Sequence, residues 1–337
     1  MMPQLRAGPT LETAKIGSQV KERFYLIGFL AVAGFLLFIG RDQLPASTFL
    51  TWGVTFGATT AAAVLIVSLY RVQLELKESR HELARKDAEL NFAREVQKAL
   101  FPARLPEDGD LTFSAICIPA QGISGDFYDV LECEDGRTIF AVADVSGKGI
   151  SAAILMANVQ AVLRTLVKSS SSLAQVCSDL NNHLYNVTES SKFATFFVAQ
   201  WQEAAQELEY VNAGHQTPIL STSIDRPVLA RGGPPLGMFP NTRYESGTVP
   251  LKATDLLVVY SDGLSEARSA EDIEFGESRL TTLVETHRSS PVAEIQGKIL
   301  EAVSSWSGRE PEDDMTIVLV RVGREDVSKN DKQERGE

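Results

Sequence analysis

Acidic residues stand at four places where an apolar run begins or ends, and at three of these places glycine is nearby. These places are Ser124-Gly125-Asp126, Asp144-Val145-Ser146-Gly147, Ser261-Asp262-Gly263 and Glu312-Asp313-Asp314. Taken singly, such patterns indicate turns, because Asp-Gly is first of all a turn signal. Taken together, they predict a site for a hard cation, because Mg²⁺ and Mn²⁺ prefer oxygen ligands from carboxylates, carbonyls and water.

A bound metal would remove the cost of gathering these carboxylates. Like charges held close together repel one another unless cations lie between them. Two metal ions about 3.5 to 4 Å apart can lower the pKa of a bridging water and hold it in line with a phosphoryl group. Hydrolysis of a phosphate ester is therefore one natural use of such a site.

The composition excludes other kinds of site. The chain has 337 residues, 44% of them apolar and 23% charged, as in ordinary globular proteins. Residues 101–337 hold 20 Lys and Arg against 35 Asp and Glu, a net charge of −15. That charge argues against nucleic acid as a partner, because phosphate backbones are bound by basic surfaces. Cys117, Cys133 and Cys177 have neither disulfide nor zinc-ligand spacing, so we expect a reducing compartment.

After Pro102 and Pro106 the pattern predicts short strands and amphipathic helices. Two groups of strands with helix pairs between them indicate an α+β sandwich. The charged tail, residues 323–337, is expected to be disordered. The predicted strands are 111–118, 127–131, 138–143, 194–201, 208–212, 217–220, 243–249, 255–260 and 315–322, and the predicted helices are 150–167, 173–187, 278–286 and 292–306.

Two uncharged runs, residues 24–40 and 49–70, precede these elements. A membrane-spanning helix needs about 20 apolar residues, within a range of about 17 to 25. We therefore predict a two-span transmembrane hairpin over residues 24–70, preceded by a cytoplasmic segment at 1–23. The alternative is a hairpin of buried core helices, which is disfavoured because no charge interrupts either run.

The basic residues predict the orientation of this hairpin. Four Lys and Arg residues precede the first run and five lie within residues 71–86, whereas the connection holds only Arg41. An excess of Lys and Arg marks the cytoplasmic side of a membrane protein. Both ends of the hairpin, and the domain that follows, are therefore expected on the cytoplasmic side of the inner membrane.

Residues 71–101 are predicted to form a long linker helix, since they contain no Gly or Pro. Leucines recur every seven residues, at Leu69, Leu76, Leu83 and Leu90. This spacing fits one stripe of a coiled coil, but the second seam position is mostly polar. Two interpretations stay open: a weak parallel coiled coil that makes a homodimer, and a single helix that packs its leucines on its own domain.

Seven blocks follow in order between about residues 93 and 322: SGDFYD, VADVSGKGISAA, FATFF, NAGHQTP, GGPPLG, YSDGLSEAR and DDMTIVLV. They resemble the PPM-type metal-dependent serine/threonine protein phosphatases. The bacterial branch that includes stage II sporulation protein E and the stress-response sigma-factor regulatory phosphatases is the most similar, and AREVQKALFP at residue 93 resembles its linker helix. The resemblance implies a four-layer α-β-β-α sandwich over residues 102–322, with two Mn²⁺ or Mg²⁺ ions in a cleft at one end.

The resemblance also implies ligands for both ions. Asp144 matches the carboxylate that bridges the ions, and the Val145 carbonyl matches a further ligand. Asp126 matches a ligand of the second ion. An activated water would then attack phosphorus in one step, without a covalent enzyme intermediate.

Asp262 and Asp313 match ligands of the first ion, which completes a catalytic set of four aspartates. The adjacent Asp314 leaves the assignment within the 313–314 pair open, so it is retained as a candidate ligand. Asp129, in the same loop as the first aspartate, is a candidate for contact with an ion through water.

Other polar residues near these motifs carry two interpretations each. His215 could be a general acid for the leaving serine, but a hydrogen-bonded structural role is favoured. Lys148 and Arg268 could steer a phosphoprotein, although isolated basic residues are usually just solvated. We find no arginine beside the first acidic motif that would grip the phosphate.

The predicted function is a membrane-anchored, cytosol-facing phosphoserine/phosphothreonine protein phosphatase. By resemblance, its substrate is a phosphorylated anti-sigma-factor antagonist of the STAS type in a partner-switching pathway. The alternative is a non-catalytic membrane scaffold that retains the phosphatase fold. Such a scaffold would be expected to lose metal carboxylates, and here all of them are present.

Overall fold

The computed structural model describes residues 45–323 except 108, 171, 189–191 and 223–225, together with residues 28, 29, 32–35, 38 and 39. The predicted N-terminal segment 1–23 and the tail beyond residue 323 lie outside the described residues. So do parts of the predicted first span and most of its connection to the second. Where the first span is described, it is helical.

Helix α1 runs from Ala46 to Lys98 and includes both the predicted second span and most of the linker helix. Pro45 starts it, because its carbonyl accepts hydrogen bonds from the amides of Thr48 and Phe49 at 2.9 and 3.1 Å. Within the apolar part, threonine hydroxyls donate to carbonyls one turn back, for example Thr51 to Ser47 at 2.8 Å. These bonds leave few polar groups exposed on an apolar helix.

The chain divides into two compact units, one ending at Arg85 and the other starting at Lys86. The last turns of α1 therefore belong to the second unit. In the first unit Leu69, Leu76 and Leu83 are 56%, 50% and 58% exposed in the single chain. The leucine stripe is thus exposed at these three positions.

The second unit contains two β-sheets. The first sheet is antiparallel with the strand order β1-β10-β9-β6. In the second sheet the order is β2-β3-β4-β5-β7, with β8 pairing on β5. The strands are β1 Leu111–Ile118, β2 Phe127–Glu132, β3 Thr138–Val145, β4 Ala194–Gln202, β5 Glu207–Ala213, β6 Ile219–Ser221, β7 Gly232–Gly233, β8 Gly247–Pro250, β9 Leu256–Tyr260 and β10 Met315–Val322.

Five helices accompany these strands. The serine run before α3 supplies its N-cap, because the hydroxyl of Ser172 accepts a hydrogen bond from the amide of Gln175 at 3.3 Å. The helices are α2 Ile150–Ser169, α3 Leu173–Val187, α4 Asp262–Ser265, α5 Glu277–Thr286 and α6 Val292–Ser307.

Three buried apolar clusters hold four layers together. One lies between α2 with α3 and the second sheet, one lies between the two sheets, and one lies between the first sheet and α5 with α6. Strand β3 shows how the layers share side chains: Ile139 and Ala141 face the helices, while Phe140 and Val142 face the other sheet. The arrangement confirms the predicted α-β-β-α sandwich.

Most element bounds agree with the predicted ones to within a few residues, and those of β1, α3 and β10 agree at both ends. Strand β8 starts later than predicted because Tyr244 turns into the helix-side core, where its hydroxyl donates to the Pro234 carbonyl at 2.9 Å. Strand β7 was not predicted. Its Gly232 pairs with Asn212, and the two backbones lie too close together for a Cβ at position 232. Glycine is therefore needed there because of close packing, not because of a turn.

Candidate metal centre

Four strand ends bring the predicted aspartates to one end of the sandwich. In the second sheet Phe127 pairs with Ala143, so the register sets Asp126, just before β2, beside Asp144 near the end of β3. This pairing explains why two acidic motifs 18 positions apart in the sequence form one site. The strands are apolar up to these positions, which allows the carboxylates to lie at the edge of a dry core.

In the first sheet, β9 and β10 position the other two aspartates. The Ser261 amide donates to the Thr316 carbonyl at 2.9 Å, and the Thr316 amide donates to the Ser261 hydroxyl at 2.9 Å. Asp262 follows this bridge on one strand, and Asp313 precedes it on the other. Gly263 allows the two strand ends to lie close together, because a Cβ at this position would collide with the carbonyl of Asp314.

The pKa values show that the two sheets present one electrostatic cluster. Burial, and then the charge of Asp144, raises the pKa of Asp126 well above its usual range. Burial, and then the charge of Asp262, raises the pKa of Asp144 to about 6. Burial, and then the charge of Asp313, raises the pKa of Asp262. Each carboxylate is thus destabilised in its charged form by removal from water and by its neighbours.

The donor chemistry of this cluster fits a pair of hard cations. Asp126 is 1% exposed, and its Oδ2 atom is buried without a hydrogen-bond partner. A buried carboxylate oxygen without a partner is costly unless a cation or a proton satisfies it. Within the described part of the chain, no three His, Cys, Asp or Glu side chains converge closely enough to ligate one ion as they stand. The fit therefore concerns the kind of donor atoms that the aspartates supply.

The Val145 carbonyl faces the same side of the cluster. Its oxygen would lie 3.0 Å from a Cβ at position 125, and the Ala152 methyl would lie 3.2 Å away. Gly125 thus allows the loop before Asp126 to pack directly against the end of β3. The contact places the residue before Asp126 against the carbonyl of Val145.

Asp313 and Asp314 differ in what they bind. Asp314 accepts hydrogen bonds from the Ala120 amide at 2.8 Å, the Ser124 hydroxyl at 2.7 Å and the Gly125 amide at 2.8 Å. Both of its oxygens are therefore engaged in holding the loop that leads to Asp126. Asp313 lines the cleft instead, and its oxygens accept from the Asp314 amide at 3.0 Å and from the Lys148 ammonium at 2.9 Å. As a ligand, Asp314 stays a prediction, and the geometry favours its neighbour.

The loop that precedes Asp126 is also hydrogen-bonded to helix α1. The Gln97 side-chain amide donates to the Ser124 carbonyl at 2.7 Å, and its oxygen accepts from the Ser124 amide at 2.9 Å. The Ser124 hydroxyl in turn accepts from the Asp126 amide at 2.9 Å. Hydrogen bonds thus join the end of α1 to a candidate ligand through a single residue.

A family model described as stage II sporulation protein E (SpoIIE) matches residues 134–323, more than half of the chain. The chain belongs to this family. It is 28% identical to the phosphoserine phosphatase RsbU of Bacillus subtilis (strain 168) over 236 residues, which cover 69% of this chain and 70% of RsbU. It is 25% identical to RsbP, a phosphoserine phosphatase of the same organism, over 240 residues that cover 69% of this chain and 58% of RsbP.

A solved structure supports the same fold. The SiaA-PP2C domain of Pseudomonas aeruginosa superposes with a TM-score of 0.63 and 20% sequence identity, over 71% of this chain and 98% of that domain. At this level of identity the likeness concerns the fold. Together with membership of the SpoIIE family, it confirms that the chain carries a PP2C-type, or PPM-type, phosphatase domain and is an enzyme.

Within this SpoIIE-type domain, Asp129 does not face the carboxylate cluster. Its buried carboxylate accepts from Arg164 at 2.6 and 3.0 Å and from Gln160 at 3.3 Å. Arg164 also donates to the Leu100 carbonyl, just beyond α1, at 3.1 Å. Asp129 therefore ties β2 to α2 and to the chain after α1, which is a structural role.

His215 is enclosed in the domain. It is 7% exposed, its Nδ1 lies 2.9 Å from the Thr195 hydroxyl, and burial lowers the pKa of its ring to about 4. The imidazole is then neutral at pH 7 and has no proton to spare for a leaving group. The structural interpretation of this histidine is the one that its burial supports.

Sequence reasoning did not assign roles to Gln97 or Ser124. It retained Asp314 as a candidate ligand but did not foresee its hydrogen bonds to Ala120, Ser124 and Gly125. Ser124 lies in the SGDFYD block, so its position beside glycine was the available signal. Gln97 lies in the entry segment and is 6% exposed, although a polar residue in a linker helix is expected in solvent. Its role depends on a contact 27 positions away, which no local pattern encodes.

We predict that Gly263→Ala separates Asp262 from Asp313. The new methyl group would meet the Asp314 backbone, so we expect a loss of about 1 to 3 kcal/mol in the free energy of unfolding and weaker stabilisation by Mn²⁺. Thermal unfolding of the purified full chain with and without Mn²⁺ measures both effects. Gly297→Ala is the matched control: it is exposed in α6 with nothing within 4 Å, so it should be neutral or stabilising by up to about 1 kcal/mol. Wild-type behaviour of Gly263→Ala would contradict this account of the glycine.

We also predict that Asp144→Asn stabilises the metal-free protein at neutral pH. Because the pKa of Asp144 is raised in the folded state to about 6, the folded wild type binds a proton that the unfolded chain releases. Wild-type stability therefore falls as pH rises from about 4 to about 6, by about 2 to 3 kcal/mol from this group. The asparagine variant should avoid this loss, so its advantage in urea unfolding with EDTA should be large at pH 7.5 and small at pH 4.5.

Asp135→Asn provides a control of opposite sign. Hydrogen bonds from Arg137 lower the pKa of the exposed Asp135 carboxyl, so the contribution of this group is present at neutral pH and lost in acid. This variant should be slightly less stable than the wild type at pH 7.5 and equal to it at low pH. An advantage of Asp144→Asn that does not change with pH would show that repulsion within the cluster is not its cause.

Proposed function

We propose that this chain is a membrane-anchored phosphoserine/phosphothreonine protein phosphatase whose domain works in the cytoplasm. The observation that carries the proposal is the cluster of Asp126, Asp144 and Asp262, three carboxylates with raised pKa values at the end of a PP2C-type sandwich. The SpoIIE family match and the similarity to two phosphoserine phosphatases support the reaction class.

The residues would hold two divalent cations, Mn²⁺ or Mg²⁺. Asp144 would contact both ions, Asp126 and the Val145 carbonyl would complete one side, and Asp262 with Asp313 would complete the other. When bound, the ions supply a water activated for attack on phosphorus and positive charge for the phosphoryl oxygens. The protein supplies the dry surroundings of Asp126, which raise its pKa and strengthen the attraction between its carboxylate and a bound cation.

The substrate would approach through a cleft of about 220 Å³ beside the cluster. Lys148, Asp262, Arg309 and Pro311 are among the residues that line this cleft. No covalent intermediate is required of the chain, so the buried thiol of Cys177 has no part in the reaction.

The phosphorylated substrate we propose is a STAS-domain anti-sigma-factor antagonist. The support is the similarity of this chain to the sigma-factor regulatory branch, within which RsbU and RsbP are named phosphoserine phosphatases. The chain would then release a sigma factor indirectly, by restoring the unphosphorylated antagonist in a partner-switching pathway.

Membrane anchoring is supported by α1, which is long and apolar enough to cross a bilayer. Its apolar side chains are exposed, as Trp52 at 62% and Ile66 at 65% illustrate. Helix α2 passes the same test of length and composition, but its apolar face packs on the second sheet. The exposed Leu69, Leu76 and Leu83 support a homodimer through the linker part of α1.

We expect Mn²⁺-dependent release of phosphate from a phosphoserine peptide, and faster release from a phosphorylated STAS-domain protein. Asp144→Asn should reduce turnover at least 100-fold on both substrates, because it removes the central carboxylate. Phosphate release by the purified full chain, with Mn²⁺ or with EDTA, measures this.

Asp135→Asn is the matched control, since it makes the same chemical change at the opposite end of β2 and β3 and should leave turnover unchanged. Equal activity of Asp144→Asn and the wild type would place the reaction elsewhere in the chain. Absence of release by the wild type from either substrate would instead favour the non-catalytic scaffold.

We expect a reporter fused after Tyr70 to lie in the cytoplasm, because both ends of the hairpin are flanked by basic residues. A reporter inserted in the connection after Asp42 should lie on the outer side. A cysteine-labelling or alkaline phosphatase fusion assay distinguishes the two sides. A protected, cytoplasmic position after Asp42 would contradict the two-span topology.

A further inference from the structure

Lys148 makes a contact that the proposed reaction does not use. Its ammonium donates to Asp313 Oδ2 at 2.9 Å and to the Glu312 carbonyl at 3.0 Å. The partner is one of the four aspartates predicted to hold a metal. The oxygen that this lysine contacts therefore belongs to a candidate ligand of a metal ion.

The loop that carries Lys148 is built to hold it at this place. Gly147 has φ +104° and Gly149 has φ +74°, both in the region that favours glycine. The lysine thus sits between two glycines, four residues after Asp144 and directly before α2. From there its side chain spans the gap between the two sheets and reaches the start of β10.

The other basic residues around the cleft are already engaged. Arg268 pairs with Asp272 and Glu274 at 3.1 and 2.7 Å, and Arg309 pairs with Glu312 at 3.0 Å. Of the described basic residues that line this cleft, Lys148 is the one paired with a candidate ligand. It is the cation that partly offsets the repulsion within the cluster.

The pair is also easy to displace. The side chains of Lys148 and Asp313 are 51% and 53% exposed, and ion pairs at such positions contribute little because water and salt screen them. A divalent cation brings twice the charge to the same carboxylate, and an ammonium this close to the carboxylate repels the cation.

We propose that Lys148 competes with the metal for Asp313 and thereby sets the affinity of this side of the centre. The inference rests on the proposed function, since it takes Asp313 as a ligand. In the metal-free protein the lysine holds the carboxylate and limits the repulsion. An ion at Asp313 is repelled by the ammonium and weakens the Lys148–Asp313 pair, so this contact lowers the affinity for the metal.

The test is the affinity of the purified, metal-free full chain for Mn²⁺, read from the electron paramagnetic resonance signal of the free ion. Lys148→Gln should bind Mn²⁺ about 3- to 10-fold more tightly than the wild type, because both the competing pair and the repulsion by the ammonium are lost. Lys148→Arg keeps the charge and should stay within about 2-fold of the wild type.

Lys192→Gln is the matched control. Its ammonium lies on the other side of the same loop, 3.5 Å from the Ser146 carbonyl, and removing it changes the net charge equally. It should leave Mn²⁺ affinity within about 2-fold. The gain of Lys148→Gln should also shrink in 1 M NaCl, where the screening length falls to about 3 Å.

Unchanged or weaker binding by Lys148→Gln would overturn the inference, as would an equal gain in Lys192→Gln or a gain that salt does not reduce. Asp144→Asn separates this failure from that of the proposed function. If Asp144→Asn binds Mn²⁺ as well as the wild type, the metal centre itself is misplaced. If Asp144→Asn binds Mn²⁺ poorly while Lys148→Gln binds it as well as the wild type, the proposed metal centre is retained. Only the competition by Lys148 is then rejected.

Discussion

Repulsion between buried carboxylates is the constraint on which this domain depends. Asp126, Asp144 and Asp262 are brought together although burial and their mutual charge raise the pKa of each. Such a cluster would spread apart on a flexible scaffold. Here each aspartate is attached to the end of a strand whose other residues are fixed in apolar layers, and burying one large apolar side chain contributes about 1.5 to 3 kcal/mol. The core therefore opposes the repulsion, and the cluster retains a free energy that a cation can relieve.

The support of the cluster is polar as well as apolar. Asp314 holds the loop from Ala120 to Gly125 through three hydrogen bonds, and Gln97 holds the same loop from α1 through two. Ser124 makes hydrogen bonds with both Asp314 and Gln97. The position of Asp126 therefore depends on the start of β10 and on the end of α1 at once. Two hydrogen bonds from Gln97 are thus part of what fixes the position of this candidate ligand.

The layers of the sandwich and the four acidic strand ends could be predicted from the sequence, because both depend on local patterns. The runs of apolar residues in β3 and β10 reflect burial on both faces, and each run stops at an acidic residue. The pairing of Asp126 with Asp144 could be expected only through the resemblance, since register is a property of two strands. The roles of Asp313 and Asp314 could not be separated by any pattern, because the difference lies in which one meets the amides of a loop 190 positions earlier. Strand β7 was missed for a similar reason: Gly232 is selected by close packing on Asn212, and its type suggests a turn.

Asp126 and Asp129 lie in a single motif and differ in what their carboxylates contact. Both are 1% exposed, and they stand three positions apart. Asp129 is neutralised by Arg164 through two hydrogen bonds, and a buried pair of this kind is complete without any ligand. Asp126 has a carboxylate oxygen with no partner and an acidic neighbour in place of a basic one. This oxygen can be satisfied by a proton or by a cation, and binding of a cation is the case proposed above.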